Sequence, residues 1–146
     1  MTNERLKEIY QKFDLKNDDI YLLPFGSVKK PIITRTGIEK IQSKLNIEVN
    51  YKVEKISDDL KHCVVLANAA LMEVKDVQQK DGSMAKRKVP MLLSQSFGES
   101  APYNNKNAYP VAMAEKRALS RVVIKLAGLA EDGLYGEDEA EDFKKK

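Results

Sequence analysis

From His62 to Val74 the chain carries apolar side chains on both parities, Val65, Ala67 and Leu71 interleaved with Val64, Leu66 and Met72. Successive residues of an extended strand point to opposite faces, so such a run asks for cover on both sides. It reads as a central or interface strand, and the fold is therefore built on a sheet. A partner precedes it. From Ile47 onward, Val49, Tyr51 and Val53 alternate with Glu48, Asn50, Lys52 and Glu54, the period of a half-buried strand, and Ser57, Asp58 and Asp59 turn the chain back. Downstream, Lys75 to Lys88 is polar, holds the turn signal Asp81-Gly82 and carries five bases, Lys75, Lys80, Lys86, Arg87 and Lys88. A third strand follows at about Val89 to Phe97. The two strands make a hairpin with a basic tip.

Helices flank this meander. Leu6, Ile9, Tyr10 and Phe13 fall at i, i+3, i+4 and i+7 and mark an amphipathic helix over Asn3 to Phe13. Tyr21 to Phe25 and Pro31 to Ile33 read as short extended pieces around Gly26, with Lys29 and Lys30 on the loop between them. Thr36 and Glu39 have capping-box spacing, and Ile38, Ile41 and Leu45 continue a second short helix to Asn46. Gly98 to Asn107 is loop by composition; Pro110 then opens a helix that runs to Ala127, with Gly128 as its stop. The expected architecture is α+β: an antiparallel β-meander of three or more strands with helices packed on one face, a β-β-β-α core.

A length of 146 residues, 42% apolar and 32% charged, supports one core and not two. Residues 1–130 are expected to form that domain and residues 131–146 an acidic, flexible tail. The formal charge of +3 hides an uneven distribution: seven acids and three lysines lie from Glu131 to Lys146, leaving 22 bases against 15 acids in residues 1–130. A body of that charge attracts polyanions. No apolar run approaches the roughly 20 residues that span a bilayer, and no signal segment is visible. The lone Cys63 has no disulfide partner within the chain, so the expected compartment is reducing cytoplasm.

The inventory for catalysis is thin, and the chain is not expected to be an enzyme. His62 is the sole histidine, and its neighbour Cys63 points to the opposite strand face, so the two do not form a nucleophile and base pair. A structural role is expected for His62. No spacing resembles a metal site, Phe25 to Lys30 lacks the glycines of a phosphate loop, and no cofactor is implied.

The last helix has three sectors at 100° per residue. Val111, Ala112, Ala118, Leu119, Val122, Val123 and Leu126 form the expected core arc. Arg117, Arg121 and Lys125 form a basic stripe beside it, with Lys116 on the other flank. Like charges at i and i+4 repel, so something anionic is expected to offset them. Glu115 projects into the apolar arc and needs a partner there, with Arg35 and Arg121 as the candidates for a structural ion pair. Lys86, Arg87 and Lys88 on an exposed turn suit a phosphate backbone. Tyr103 and Tyr109 flank Lys106, and aromatic rings beside cations are what sequence-tolerant single-strand binding uses. Solvated charge and core packing are the plain alternatives for each of these features.

The segment Tyr109-Pro-Val-Ala-Met-Ala-Glu-Lys-Arg-Ala-Leu-Ser-Arg, through Ala114, Glu115, Ala118 and Arg121, resembles the helix pattern of Erf-type phage single-strand annealing proteins. Phe97-Gly98-Glu99-Ser100 is similar to the end of the third strand in that family, and Ile33 to Ile38 to the turn into a short helix before the sheet. The resemblance covers Ile47 to Leu129. It implies a single-stranded DNA-binding protein that promotes strand annealing in phage or bacterial homologous recombination inside the bacterial cytoplasm. It also implies assembly into homo-oligomeric rings or filaments, with DNA in a positive groove between hairpin and helix. The nucleic-acid residues would be Lys86, Arg87, Lys88, Arg117, Arg121 and Lys125, helped by Lys29, Lys30, Arg35, Tyr103 and Lys106. This chain is short for the family and lacks a recognisable second domain. The acidic end with Phe143 is similar to the partner-binding tails of bacterial single-strand binding proteins, apart from Lys144 to Lys146, and implies a protein partner.

Two other readings fit the same pattern. A helix, three antiparallel strands and a basic final helix is also the order of a double-stranded-RNA-binding module. A protein-interaction subunit whose basic stripe meets an acidic partner, or the chain's own tail, is the other.

Overall fold

The chain folds into two small sheets joined by helices, and the computed structural model describes residues 2–106 and 108–140. Helix α1 (Asn3–Lys12) starts at Thr2, whose hydroxyl accepts from the Arg5 N–H at 3.2 Å, and docks through Ile9, with Phe13 buried just beyond it. Strands β1 (Ile20–Phe25) and β2 (Val28–Ile33) form a hairpin closed by Gly26 and Ser27, with Gly26 at φ +62°. So tight a turn leaves no loop for Lys29 and Lys30, contrary to expectation. They sit on β2, paired with Pro24 and Leu23.

Helix α2 (Arg35–Lys44) is capped by Thr34, which accepts from Gly37 N–H at 3.3 Å, and not by Thr36 as the spacing suggested. Thr36 is already inside the helix. Its hydroxyl donates to Asp19, while Glu39 pairs with Arg35 one turn back.

The main sheet is the antiparallel meander β3 (Ile47–Ile56), β4 (Cys63–Gln78) and β5 (Met84–Ser100), with β4 in the middle, and helix α3 (Pro110–Leu126) lies across one face. The fold is α+β, as expected. Both long strands exceed the reading from sequence, because the polar residues after Val74 pair in register down to Gln78 opposite Met84. The expected basic tip is therefore wrong in placement: Lys86, Arg87 and Lys88 lie along β5, and only Lys80 sits in the turn.

Small residues bring α3 onto the sheet. Ala67, Ala114 and Ala118 are fully buried with Val65, Val122 and Val123, and Gly98 lies beneath the helix. A Cβ on Gly98 would collide with the backbone of Ala114 and Ala118, so the close crossing requires glycine. Ile38 and Ile41 of α2 close the same core.

After Gly128 the chain was expected to be loose. Instead Ala130–Asp132 and Glu137–Glu139 form 3-10 turns, and between them β6 (Tyr135–Gly136) pairs in parallel with Ile32 and Ile33 of β2. Leu129, Leu134 and Ala140 are buried. These apolar anchors, spaced between acids, hold the segment down. Phe143 and residues 141–146 lie outside the described residues. Among the described residues no helix is long and apolar enough to cross a membrane.

Candidate nucleic-acid interface

The basic stripe of α3 finds its anions within the fold. Four helical residues advance about 6 Å and two strand residues about 6.8 Å, so a stripe at i, i+4 and i+8 can stay in step with alternate residues of a strand beside it. That coincidence is realised at the outer edge of β5. Arg117 donates to the Glu99 carbonyl at 2.8 Å, Arg121 to the Phe97 carbonyl at 2.8 Å, and Lys125 to the Gln95 carbonyl at 3.2 Å. The three cations cap an edge that would otherwise offer acceptors to another strand.

Arg117 is 3% exposed and also donates to the carbonyls of Asn104 (2.6 Å) and Asp138 (3.3 Å). It is a structural residue, which corrects its expected place in a DNA groove. The Arg121 guanidinium is gripped by both oxygens of Glu99, at 2.8 and 2.9 Å, and by Glu139 at 2.7 Å. Hydrogen bonding by Arg121 holds the Glu99 carboxyl below its usual range against the opposing effect of burial, and Glu99 in turn raises the Arg121 pKa. Arg121 is thus neutralised where it stands. The acid expected to offset the stripe is the chain's own, from β5 and from the segment after α3. Asp138, beneath Ser120, is the exception: burial pushes its carboxyl up. Of the stripe only Lys125 remains exposed.

Glu115 takes neither expected partner. Arg35 is committed to Glu39 at 3.1 Å, and its backbone N–H donates to Glu137 at 2.7 Å. The first turn of α3 overhangs the core, so Val111 and Ala112, expected on the buried arc, are exposed. Glu115 is half-buried one turn further along. Among the described residues it makes no hydrogen bond or ion pair. Burial, and then Glu115, raise the pKa of the Tyr51 phenol on β3. The helix end, the β3–β4 turn and the loop after β5 enclose an open groove of about 810 Å³, lined by Leu60, Lys61, Pro102, Tyr109, Val111 and Glu115 among others.

A cluster of cations lies on the ribbon formed by the far halves of β4 and β5, beyond the bulge between Leu71 and Met72. Lys75 faces Arg87 directly across the ladder, a like-charge pairing that weakens a sheet unless an anion lies over it. Glu73 lies 3.7 Å from Lys75, and Lys88 reaches Glu48 only at 3.9 Å. Lys86 faces Asp76 directly across the ladder, and among the described residues neither Lys86 nor Arg87 closes an ion pair. Lys86 and Lys88 project to the sheet face away from α3, which none of the described residues covers. Leu93 (71% exposed), Phe97 (53%) and Val74 (55%) lie on that face beside Asn68, Gln95 and Lys52. The second cover that the two-parity pattern of β4 asks for is not supplied by the described residues.

The remaining candidates are dispersed. Lys29 and Lys30 belong to the other sheet, with the Lys30 ammonium 4.7 Å from the Phe25 ring and 5.0 Å from that of Tyr135. Tyr103 and Lys106 are exposed on the loop after β5, and Tyr109 is exposed at the start of α3. His62 is exposed in the turn before β4 and not buried in the strand, its backbone N–H donating to the Ser57 hydroxyl at 3.0 Å. Burial raises the Cys63 thiol pKa. Sequence reasoning missed Phe97, Leu93 and Lys61. For the first two, the signal was the apolar residues at alternate positions of the third strand, Val89, Met91, Leu93 and Phe97, broken only by Gln95.

Comparison with known proteins finds no match: no protein-family model, no curated protein and no solved structure matches the chain.

Proposed function

We propose that this chain binds single-stranded DNA along the ribbon and the open face of the main sheet, as the core of a strand-annealing protein of phage or bacterial recombination. The observation that carries the reading is the cluster of cations on the ribbon, above all Lys75 opposite Arg87 with Lys86 and Lys88 on the other face, offset among the described residues only by Glu73 and Glu48 at 3.7 and 3.9 Å and by Asp76 across from Lys86. A phosphate backbone offsets such repulsion without any demand on sequence. Phe97, Leu93 and the amides of Asn68 and Gln95 give bases an apolar and hydrogen-bonding surface next to those cations. The order of three antiparallel strands and a helix agrees with the Erf-type resemblance.

A second reading has its own support in the exposed apolar face. Leu66, Met72, Leu93 and Phe97 lie on the face of β4 and β5 away from α3, where another protein surface, including a second copy, would find cover to share. Self-association into rings or filaments belongs to this reading and is compatible with the first.

Fluorescence anisotropy with labelled single-stranded DNA, double-stranded DNA and double-stranded RNA across a salt series separates the possibilities. Tight single-strand binding that falls steeply with salt supports the proposal. Preference for double-stranded RNA transfers it to that class of ligand. Absence of binding to all three, with salt-sensitive self-association, leaves the protein-interaction reading.

A further inference from the structure

We propose that the groove at the start of α3 is a base-binding subsite that accepts one guanine of the bound strand, with Glu115 as the group that reads it. The inference deepens the single-strand reading and rests on it. Glu115 presents a half-buried carboxylate on a wall shared with Leu60, Pro102, Tyr109 and Val111, and none of the described residues donates to it. Two acceptor oxygens in an apolar setting gain most from two adjacent donors. Among the four DNA bases only guanine offers them on one edge, as N1–H and N2–H₂. Adenine and cytosine set a donor beside an acceptor there, and thymine sets one N–H between two carbonyls.

The remaining walls suit the rest of a nucleotide. Tyr109 is 71% exposed and offers a ring face to a base. Lys61, on the rim, makes no ion pair among the described residues and is placed for a phosphate. The volume of about 810 Å³ lies within the range of small-ligand sites and holds a nucleotide while leaving room for the chain to enter and leave. Asp59 also lines the groove, but its carboxylate already accepts from the Ser57 hydroxyl and the Lys61 backbone N–H, which leaves Glu115 as the lining carboxylate without a donor among the described residues.

The test uses the full chain and three labelled oligonucleotides: oligo-dT, the same strand with one central deoxyguanosine, and the same strand with deoxyinosine there, which keeps N1–H and lacks the 2-amino group. The expected result is about tenfold tighter binding of the guanine strand than of oligo-dT. Most of that gain should be lost with inosine, and Glu115→Ala should abolish it while leaving oligo-dT binding unchanged. Because inosine is compared on the unaltered protein, the test does not depend on the variant folding. Oligo-dT binding without a guanine preference, or a preference that survives Glu115→Ala, overturns this inference and leaves the single-strand reading standing. Failure of all three strands to bind overturns both.

Discussion

Strands β4 and β5 are continuous, yet their two halves live under different rules. Between Cys63 and Leu71, α3 covers one face, Gly98 admits its backbone, and the cations that reach this part of β5 are spent on its carbonyl edge. Past the bulge none of the described helices covers the sheet, and the exposed cations include the facing pair Lys75 and Arg87 beside Lys86 and Lys88. Basic side chains of similar appearance in the sequence therefore do opposite work. Whether a cation is free depends on what lies within its reach and not on its place in a charge pattern.

The sharpest way to break the contrast is at the two glycines. Gly98→Val forces a side chain into the backbone of α3 and is expected to cost about 3 kcal/mol or more, read as a loss of cooperative thermal unfolding or a large drop in Tm. Gly82→Ala in the ribbon turn meets open space and strains only φ at +86°, so about 1 kcal/mol is expected. Comparable losses would show that the ribbon is as tightly held as the base.

Next come the arginines. Arg117→Met removes three carbonyl contacts in the interior and is expected to cost about 3 kcal/mol in chemical denaturation. Arg87→Met relieves the repulsion with Lys75 and should leave stability within about 0.5 kcal/mol of the parent. A destabilised Arg87 variant would mean that its charge is already paired.

The smallest effect concerns pH. The Glu99 carboxyl, held low by Arg121, contributes stability that is fully present above the ordinary glutamate value of about 4.3 and is lost as pH falls through its lower folded value. Asp138 works the other way: burial raises it, so its protonation on acidification relieves the folded state and offsets part of that loss. Glu99→Gln is expected to flatten the acid limb of a Tm profile between about pH 5 and 3, and Asp138→Asn to steepen it. An unchanged profile in both would contradict the ion-pair account.

Much of this was legible beforehand. The period of two in β3, the two-parity run of β4, Pro110 at the start of α3 and Gly128 after its end are local signals, and each element formed where they stood. What was not legible is non-local. The match of Arg117, Arg121 and Lys125 to Glu99, Phe97 and Gln95 depends on two elements lying side by side with commensurate spacing, which neither declares alone. Glu137 to Glu139 were placed in a flexible acidic tail because their partners, Arg35, Ser120 and Arg121, are far away in sequence. Glu115 was correctly singled out, but its surroundings were not, because the overhang of the first turn of α3 is a tertiary fact.

In the proposed function the ribbon, and not the helix stripe, carries the strand. This is tested most directly by the salt dependence of single-stranded DNA affinity for the parent protein and for the triple variant Lys86→Ala, Arg87→Ala, Lys88→Ala. The expected result is a well-folded variant whose plot of log affinity against log salt is shallower by about 2, the loss of roughly three phosphate contacts to a single strand. Affinity and slope identical to the parent would contradict it.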